Sequence, residues 1–283
     1  VGEDFINQKL GKVIMAIQER EIRRLQVGTL KLEIYPNRKA AGEAAAQAVA
    51  QALRQSSSTG QDVAVIFAAA ASQIETLRAL TEMPDVPWKQ VLGFHMDEYV
   101  ALPEDHPASF RGFLRQHLTQ RVAMKEFFGI DGNAPDPGFA CREYAEKLRS
   151  AKPQLCLAGI GENGHLAFND PPEADFNDPL DVKIVQLDGV TRQQQVAEGW
   201  FKSLEDVPTS AITLTVPALL RVKKLIASVP GSRKAEIIRR VAEEPISTNC
   251  PATILRTHPD ATVYLDAESA ANLDSRMLAD AAV

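Results

Sequence analysis

LCLAGIGENGHLAFNDPP, residues 155–172, is the stretch that decides the fold. Its first four residues, Leu155-Cys156-Leu157-Ala158, form a short apolar run that stops at glycines. Such a run reads as a fully buried strand, since it is too short for a confident helix. Gly159, Gly161 and Gly164 then fold the chain into a tight turn, where a backbone can bend sharply or approach a ligand closely. Held in that turn are Asn163, His165, Asn169 and Asp170. Polar, titratable groups just beyond a buried strand mark the place where open α/β sheets bind ligands.

Outward from this stretch the chain alternates. On the N-terminal side, Leu30–Tyr35, Asp62–Phe67, Lys89–Met96 and Phe127–Ile130 read as strands. Between them lie helical stretches at Arg38–Gln55, from Ser72 to about Met83, at Ala108–Val122 and at Gly138–Ser150. On the C-terminal side, Val182–Leu187, Ala211–Thr215, Lys223–Val229 and Ala261–Leu265 read as strands, with helices at Thr191–Gly199 and from Gly231 to Glu243. The acidic segment Asp175–Asp181 (DFNDPLD) is expected to be a mobile surface segment. Alternating strands and helices predict a three-layer, Rossmann-like α/β fold, with a mostly parallel sheet and helices on both faces. Asp97, His165, Lys234 and the alanine-rich loop Ala68–Ser72 all fall at carboxyl ends of strands, where ligands should gather. Apolar residues at helical spacing over residues 4–26 predict an amphipathic helix ahead of the core. The expected organisation is an N-terminal helical extension, residues 1–28, followed by a single domain, residues 29–283.

Composition narrows the function. The chain has 283 residues and a formal net charge of −6, which argues against a partner bound by neutralising nucleic-acid phosphates. A small anionic substrate stays compatible, because a local site can oppose the global charge. Cys141, Cys156 and Cys250 are odd in number and far apart, which favours a reducing cytoplasm and gives no zinc site. No run of the ~20 apolar residues needed for a membrane span is present, and no signal peptide is visible. No GxxxxGK[ST] phosphate loop occurs and no redox cofactor is signalled, so no cofactor is expected; no His, Asp or Glu cluster has metal-ligand spacing.

Four segments carry a family resemblance. They are Met96-Asp97-Glu98-Tyr99-Val100 with Leu102–Pro107, the turn Gly132–Asp136, the loop GENGHLAFN, and Gly231-Ser232-Arg233-Lys234-Ala235. In this order they resemble the glucosamine-6-phosphate deaminase/isomerase family, over about residues 30–270. The 6-phosphogluconolactonases share the fold and a Gly-His loop but typically lack the Asp-Glu-Tyr-Val and Ala-Phe-Asn wording. The resemblance implies an aldose–ketose isomerising deaminase of the hydrolase class. Such an enzyme would convert an aminosugar 6-phosphate to fructose 6-phosphate and ammonia. It would be cytoplasmic, with a small sugar phosphate as partner and either a monomer or a homo-oligomer as assembly.

The resemblance also implies residue roles. Asp97 corresponds to the proton carrier between C2 and C1, a task that suits a carboxyl group of raised pKa. His165 corresponds to the acid/base that opens the sugar ring. Asn163 and Asp170 fall where polar partners orient that histidine. The family usually has the longer Glu in place of Asp170, and ~1 Å of misplacement can cost about 10²-fold in rate. Arg192 and Lys234 match positions used for the substrate phosphate. The loop Ala69-Ala70-Ala71-Ser72 replaces a glycine- and threonine-containing phosphate loop. If that loop needed φ > 0, alanine would cost roughly 1–2 kcal/mol per residue. It can equally be a plain strand–helix connection. His95 is expected in the core or behind the site, His106 in a surface loop, His117 and His258 in structural roles, and Trp88 and Trp200 in packing. The acidic segment 175–181 lacks the pattern of an allosteric sugar-phosphate site. The alternatives are a lactonase or other sugar-phosphate isomerase, and a sugar-phosphate-binding sensor with little turnover.

Overall fold

The computed structural model describes residues 22–58 and 60–279. The helix expected over residues 4–26 therefore lies mostly outside the described residues. Its last part is not helical. Arg23–Val27 is strand β1, paired antiparallel with β2 (Leu30–Tyr35) across a turn in which Gly28 has a φ of +62°. Leu25 is buried while Arg24 and Gln26 are exposed, the period-2 pattern of a strand.

The remaining strands are β3 (Val63–Phe67), β4 (Val91–His95), β5 (Asp97–Tyr99), β6 (Glu126–Phe128), β7 (Leu155–Ala158), β8 (Val182–Gln186), β9 (Ser210–Leu214), β10 (Lys224–Ser228) and β11 (Ala261–Asp266). The main sheet has eight strands in the order β1-β2-β11-β10-β7-β3-β4-β6, and every pairing except β1–β2 is parallel. Strands β5, β9 and β8 form a separate antiparallel sheet.

Both faces of the main sheet are buried, as the apolar strand runs require. Ala64 and Ile66 of β3 and Cys156 of β7 belong to one hydrophobic cluster, whereas Val65, Phe67 and Leu157 belong to the other. Two long helices, α1 (Arg38–Ser56) and α2 (Ile74–Glu82), cover one face. They pack closely because α1 is rich in alanine and carries Gly42, where an added Cβ would lie 2.5 Å from the Glu75 Cβ. Helix α3 (Phe110–Leu114) is short and passes into a π-helical turn, so the helix expected over Ala108–Val122 is irregular. Helix α4 (Pro137–Ala151) sends Cys141, Tyr144, Ala145 and Leu148 into the other cluster. Next come α5 (Gly189–Ala197) and α6 (Val216–Leu220). Helix α7 (Ala235–Glu243) also joins the cluster on the α4 face through Ile237, Ile238 and Val241. The segment Asp175–Asp181 is anchored rather than free. Asp181 is buried and ion-paired with Arg149 at 3.1 Å and with Arg221.

The strand order reverses between β3 and β7. From β3 the chain proceeds to β4 on one side; from β7 it proceeds, through the small sheet, to β10 on the other. The loops leaving these two strands therefore diverge and open a crevice at their carboxyl ends.

Candidate active site

The crevice is a small cleft open to solvent. Ala68, Ala69, Ala70 and Ser72 line it after β3, Asp97 after β4, and Gly161, His165, Ala167 and Phe168 after β7. Gln194, Gln195, Glu198 and Trp200 enter from α5 and the residues beyond it, and Lys234 from the turn before α7. Segments far apart in the sequence thus meet at one point of the sheet.

Asp97 opens β5 immediately after β4. Its neighbour Glu98 is buried, and its carboxylate accepts from the N–H groups of Tyr99 (3.0 Å), Phe110 (3.2 Å) and Arg111 (2.8 Å) and from the Ser109 hydroxyl (3.0 Å). Glu98 thereby fixes the start of α3 to the strand that carries Asp97. Thr213 lies opposite Asp97 in β9, and its Oγ1 accepts the Phe168 N–H at 3.0 Å. One residue therefore holds the register between the Asp97 strand and the histidine loop. Asp97 itself is buried at the cleft wall. Burial first, and the Glu98 charge second, push its pKa well above the usual carboxylate range.

His165 is held through Nδ1. That atom lies 2.8 Å from Asn163 Oδ1, 3.0 Å from Asp170 Oδ1 and 3.0 Å from Thr191 Oγ1. Two of these are acceptor-only oxygens, so the network assigns the proton to Nδ1 and leaves Nε2 as the basic atom. The His165 N–H also donates to Asn163 Oδ1 at 3.0 Å. Asn163 in turn donates through Nδ2 to Asp170 Oδ1 at 3.0 Å and to Asp188 Oδ2 at 3.3 Å. The shorter carboxylate at position 170 thus reaches the ring. Its Oδ2 accepts the Asp188 N–H at 3.0 Å, and Thr191 donates to its Oδ1. Burial alone would raise the Asp170 pKa. The hydrogen bond and charge of His165, with Asn163 and Thr191, outweigh it and hold the group at about 2.

The loop is shaped by its small residues. An added Cβ at Gly161 would lie 2.1–2.3 Å from the His165 ring, so only glycine leaves room for the imidazole. Ala167 has a φ of 52°, a left-handed conformation that costs an alanine roughly 1–2 kcal/mol. Asn169 is buried away from the cleft chemistry and clips the loop down, donating to the Leu166 and Leu214 carbonyls at 2.8 Å each.

The alanine loop needs no left-handed backbone. Ala70 is extended, with φ −162° and ψ 161°, and none of Ala69, Ala70 and Ala71 has a positive φ. The N–H groups of Ala70, Ala71 and Ser72 make no hydrogen bond among the described residues, at the start of a turn that continues into α2. Free N–H groups at such a start form an anion site. Beneath them the buried Gln73 donates to the Ser72 hydroxyl (3.0 Å) and to the Ala158 (3.1 Å) and Ser228 (3.3 Å) carbonyls. The loop is thereby tied to the ends of β7 and β10. Ala70 and Ser72 line the cleft; Ala71 does not, although its N–H lies between them in sequence.

The two basic residues expected at the phosphate separate. Lys234 is buried on the cleft wall, and burial lowers its pKa against the pull of Glu198 and Glu162. Arg192 is not brought into the cleft. Its guanidinium donates to the Leu204 carbonyl at 2.6 Å and the Val207 carbonyl at 3.0 Å, spanning the loop that carries Trp200. The Leu204 carbonyl also accepts the Val207 N–H at 3.3 Å, whereas the Val207 carbonyl has no other donor among the described residues, so the arginine completes and pins this turn.

His95 is fully buried, and burial, then the Arg111 charge, drives its pKa down to about 3, so it packs as a neutral ring. His258 is likewise structural, with both ring nitrogens engaged by backbone groups of Val222 and Asp260. His106 is half-buried and stacks on Phe201. Among the described residues, no group of three or more His, Cys, Asp or Glu is placed to hold a metal ion, and no helix is long and apolar enough to cross a membrane.

Four contributors went unforeseen: Thr191, Asp188, Glu198 and, on the cleft wall, Trp200. Asp188 had a signal, since it stands at the N-cap position of α5. Its side chain makes no capping bond there and turns to Asn163 instead. Trp200 donates to Glu198 Oε2 at 3.2 Å and lines the cleft, while its ring also packs edge-on against Phe113.

Residues 36–264 match the family model for glucosamine-6-phosphate isomerases/6-phosphogluconolactonase. A glucosamine-6-phosphate deaminase of Exiguobacterium sibiricum is 40% identical over 190 residues, covering 66% of this chain and 73% of the relative. One from Listeria monocytogenes is 35% identical over 215 residues, covering 76% and 90%. A solved structure of a monomeric glucosamine-6-phosphate deaminase superposes with a TM-score of 0.77 at 27% identity, over 86% of this chain and 99% of that one. The 6-phosphogluconolactonase of Trypanosoma brucei, with a TM-score of 0.71 and 16% identity over 86% of this chain and 98% of its own, shares the fold. The chain belongs to the glucosamine-6-phosphate isomerase/6-phosphogluconolactonase family.

Proposed function

We propose that the protein is a glucosamine-6-phosphate deaminase. One observation carries the reading. A histidine with its Nδ1 enclosed by oxygens and a buried carboxyl group of raised pKa share one cleft. Ring opening requires a group that takes the anomeric O–H proton and gives one to the ring oxygen. His165 Nε2 suits this task, with Asn163 and Asp170 keeping the ring in its tautomer. Asp97, when ionised, removes the C2 proton of the open aldehyde. The same carboxyl group returns the proton to C1 while the substrate's ammonium group gives one proton to O1, so that C1 becomes the CH₂OH end and C2 an iminium. Water adds at C2 and ammonia leaves, giving fructose 6-phosphate. Asp97 ends the cycle ionised as it began. The isomerising step is what the geometry supports, and the hydrolase class expected from the sequence is not supported by the deaminase relatives.

The 6-phosphate is assigned to Lys234, the Ser72 hydroxyl and the N–H groups of Ala70, Ala71 and Ser72. Arg192 holds the loop that walls the cleft. A sugar-phosphate sensor with little turnover would rest on two features, the short Asp170 and the alanine loop. Asp170 reaches His165, and the alanines adopt ordinary backbone angles. A coupled assay for ammonia and fructose 6-phosphate from glucosamine 6-phosphate tests the assignment. Hydrolysis of 6-phosphogluconolactone without ammonia release would replace it with the lactonase reading.

A further inference from the structure

The anion end of the cleft is short of positive charge. A phosphate monoester brings a charge of about −1.5 to −2 at neutral pH. Among the described lysines and arginines, Lys234 alone lines the cleft, and Glu198 lines it as a carboxylate. Arg192 is committed to the Leu204 and Val207 carbonyls. A dianion would then meet one cation and one opposing carboxylate, a poor match in a partly desolvated site.

Arg233 stands beside this gap. It precedes Lys234 in the turn that opens α7, and its guanidinium lies against two carboxylates, 3.5 Å from Glu162 Oε1 through Nε and 3.8 Å from Glu198 Oε1 through a terminal nitrogen. Both separations exceed the usual 2.7–3.2 Å of N–H···O hydrogen bonds, so the guanidinium is steered without its donors being taken up. Its side chain is 52% exposed, which leaves it room to turn. Glu198 has its own fixed geometry, accepting from Gln194 Nε2 at 2.8 Å and from Trp200 Nε1 at 3.2 Å. It is therefore a rigid tether on the cleft wall rather than a loose surface charge. The charged groups around Arg233 are Glu162 from the histidine loop, Glu198 from the end of α5 and Lys234 from its own turn.

We propose that Arg233 is the second cation of the phosphate site, poised at the cleft by Glu162 and Glu198 and turned onto the substrate's 6-phosphate in a two-donor contact. Arginine suits this role because its planar fork matches two phosphate oxygens. Glu198 gains a purpose in the same step. In the free protein it keeps the guanidinium beside the cleft, and on binding it gives the guanidinium up to the phosphate. The inference rests on the proposed sugar-phosphate substrate.

The test is the dissociation constant of glucitol 6-phosphate, which carries the phosphate but no carbonyl to react. Wild type is compared with Arg233→Gln, Arg233→Lys and Arg239→Gln. Arg239 lies on α7, the helix that follows the Arg233 turn, where it pairs with Glu236 and Glu243, so its removal takes away the same charge nearby without touching the cleft. Arg233→Gln is expected to weaken binding tenfold or more, Arg233→Lys to recover part of the loss, and Arg239→Gln to stay within twofold of wild type. In turnover, Arg233→Gln should raise KM by a similar factor and leave kcat within threefold. Binding by Arg233→Gln within twofold of wild type, equal weakening in Arg239→Gln, or no measurable binding by wild type would overturn the proposal. Wild-type binding lost in Arg233→Gln without ammonia from glucosamine 6-phosphate would sink the deaminase reading and leave the Arg233 site standing.

Discussion

Asp170 places one carboxylate oxygen 3.0 Å from His165 Nδ1 and the other 3.0 Å from the Asp188 N–H. The side chain is thus fixed at both ends, and the imidazole with it. Asp170→Asn offers a neutral partner that can hold the ring but cannot stabilise its protonated form. Its kcat/KM should fall roughly 10²-fold or more, as when a neutral amide replaces the carboxylate behind a catalytic histidine. Steady-state rates of this variant beside wild type measure the loss.

The same carboxylate sets an acid-stability signature. Its pKa is held at about 2, below its unfolded value. A depressed carboxylate stabilises the fold fully above the unfolded pKa of about 4 and loses that contribution as pH falls through the folded value. The contribution is of order 2 kcal/mol. Thermal midpoints of wild type and Asp170→Asn should therefore converge between about pH 4 and pH 2. A constant difference across that range would contradict the assignment.

Asp97 has the opposite sign. Its pKa is raised by burial and by Glu98, so the folded protein favours the neutral form. Its favourable contribution is complete below the unfolded pKa and is lost as pH rises toward the folded one. Asp97→Asn, neutral at every pH, should remove the isomerisation, dropping turnover ~10³-fold or more. It should also raise the thermal midpoint at pH 8 relative to wild type, and the gain should vanish near pH 3. Wild-type activity should climb with pH through a midpoint above the usual carboxylate range. Loss of activity with a lowered midpoint at pH 8 would indicate a structural rather than catalytic carboxyl group.

Gly161 leaves no room for a side chain against the His165 ring. Gly161→Ala should displace the imidazole and reduce kcat/KM roughly 10²-fold, the scale expected for ~1 Å of misplacement. Restoration by Gly161→Ser, which is no smaller, would refute the steric account.

Arg192 satisfies two backbone carbonyls rather than the cleft. Arg192→Gln should lose about 1–3 kcal/mol of stability through the lost charged hydrogen bonds and the Val207 carbonyl left without a donor, a fall of a few degrees in thermal midpoint. KM should rise less than for Lys234→Gln. A large KM increase with unchanged stability would return Arg192 to the phosphate.

Much of this was legible in the sequence. The apolar runs at Val63–Phe67 and Leu155–Ala158 announced buried parallel strands, and the residues after them announced the cleft. His165 and Asp97 were readable because each is bounded by distinctive neighbours. Thr191 and Glu198 were not readable. Their roles depend on how α5 rotates against the loop after β7, and local periodicity carries no information about that contact. The placement of Arg192 outside the cleft was not readable either, because its guanidinium goes to carbonyls twelve and fifteen residues onward. The end of the expected N-terminal helix misled. Arg23–Val27 gains its partners only from β2, a tertiary pairing that overrides the helical spacing of the residues before it.

The most direct measurement is the product balance from glucosamine 6-phosphate. Ammonia and fructose 6-phosphate should form in equal amounts with wild type, and an Asp97→Asn control should form neither above background. Equal, negligible product from both proteins would contradict the account.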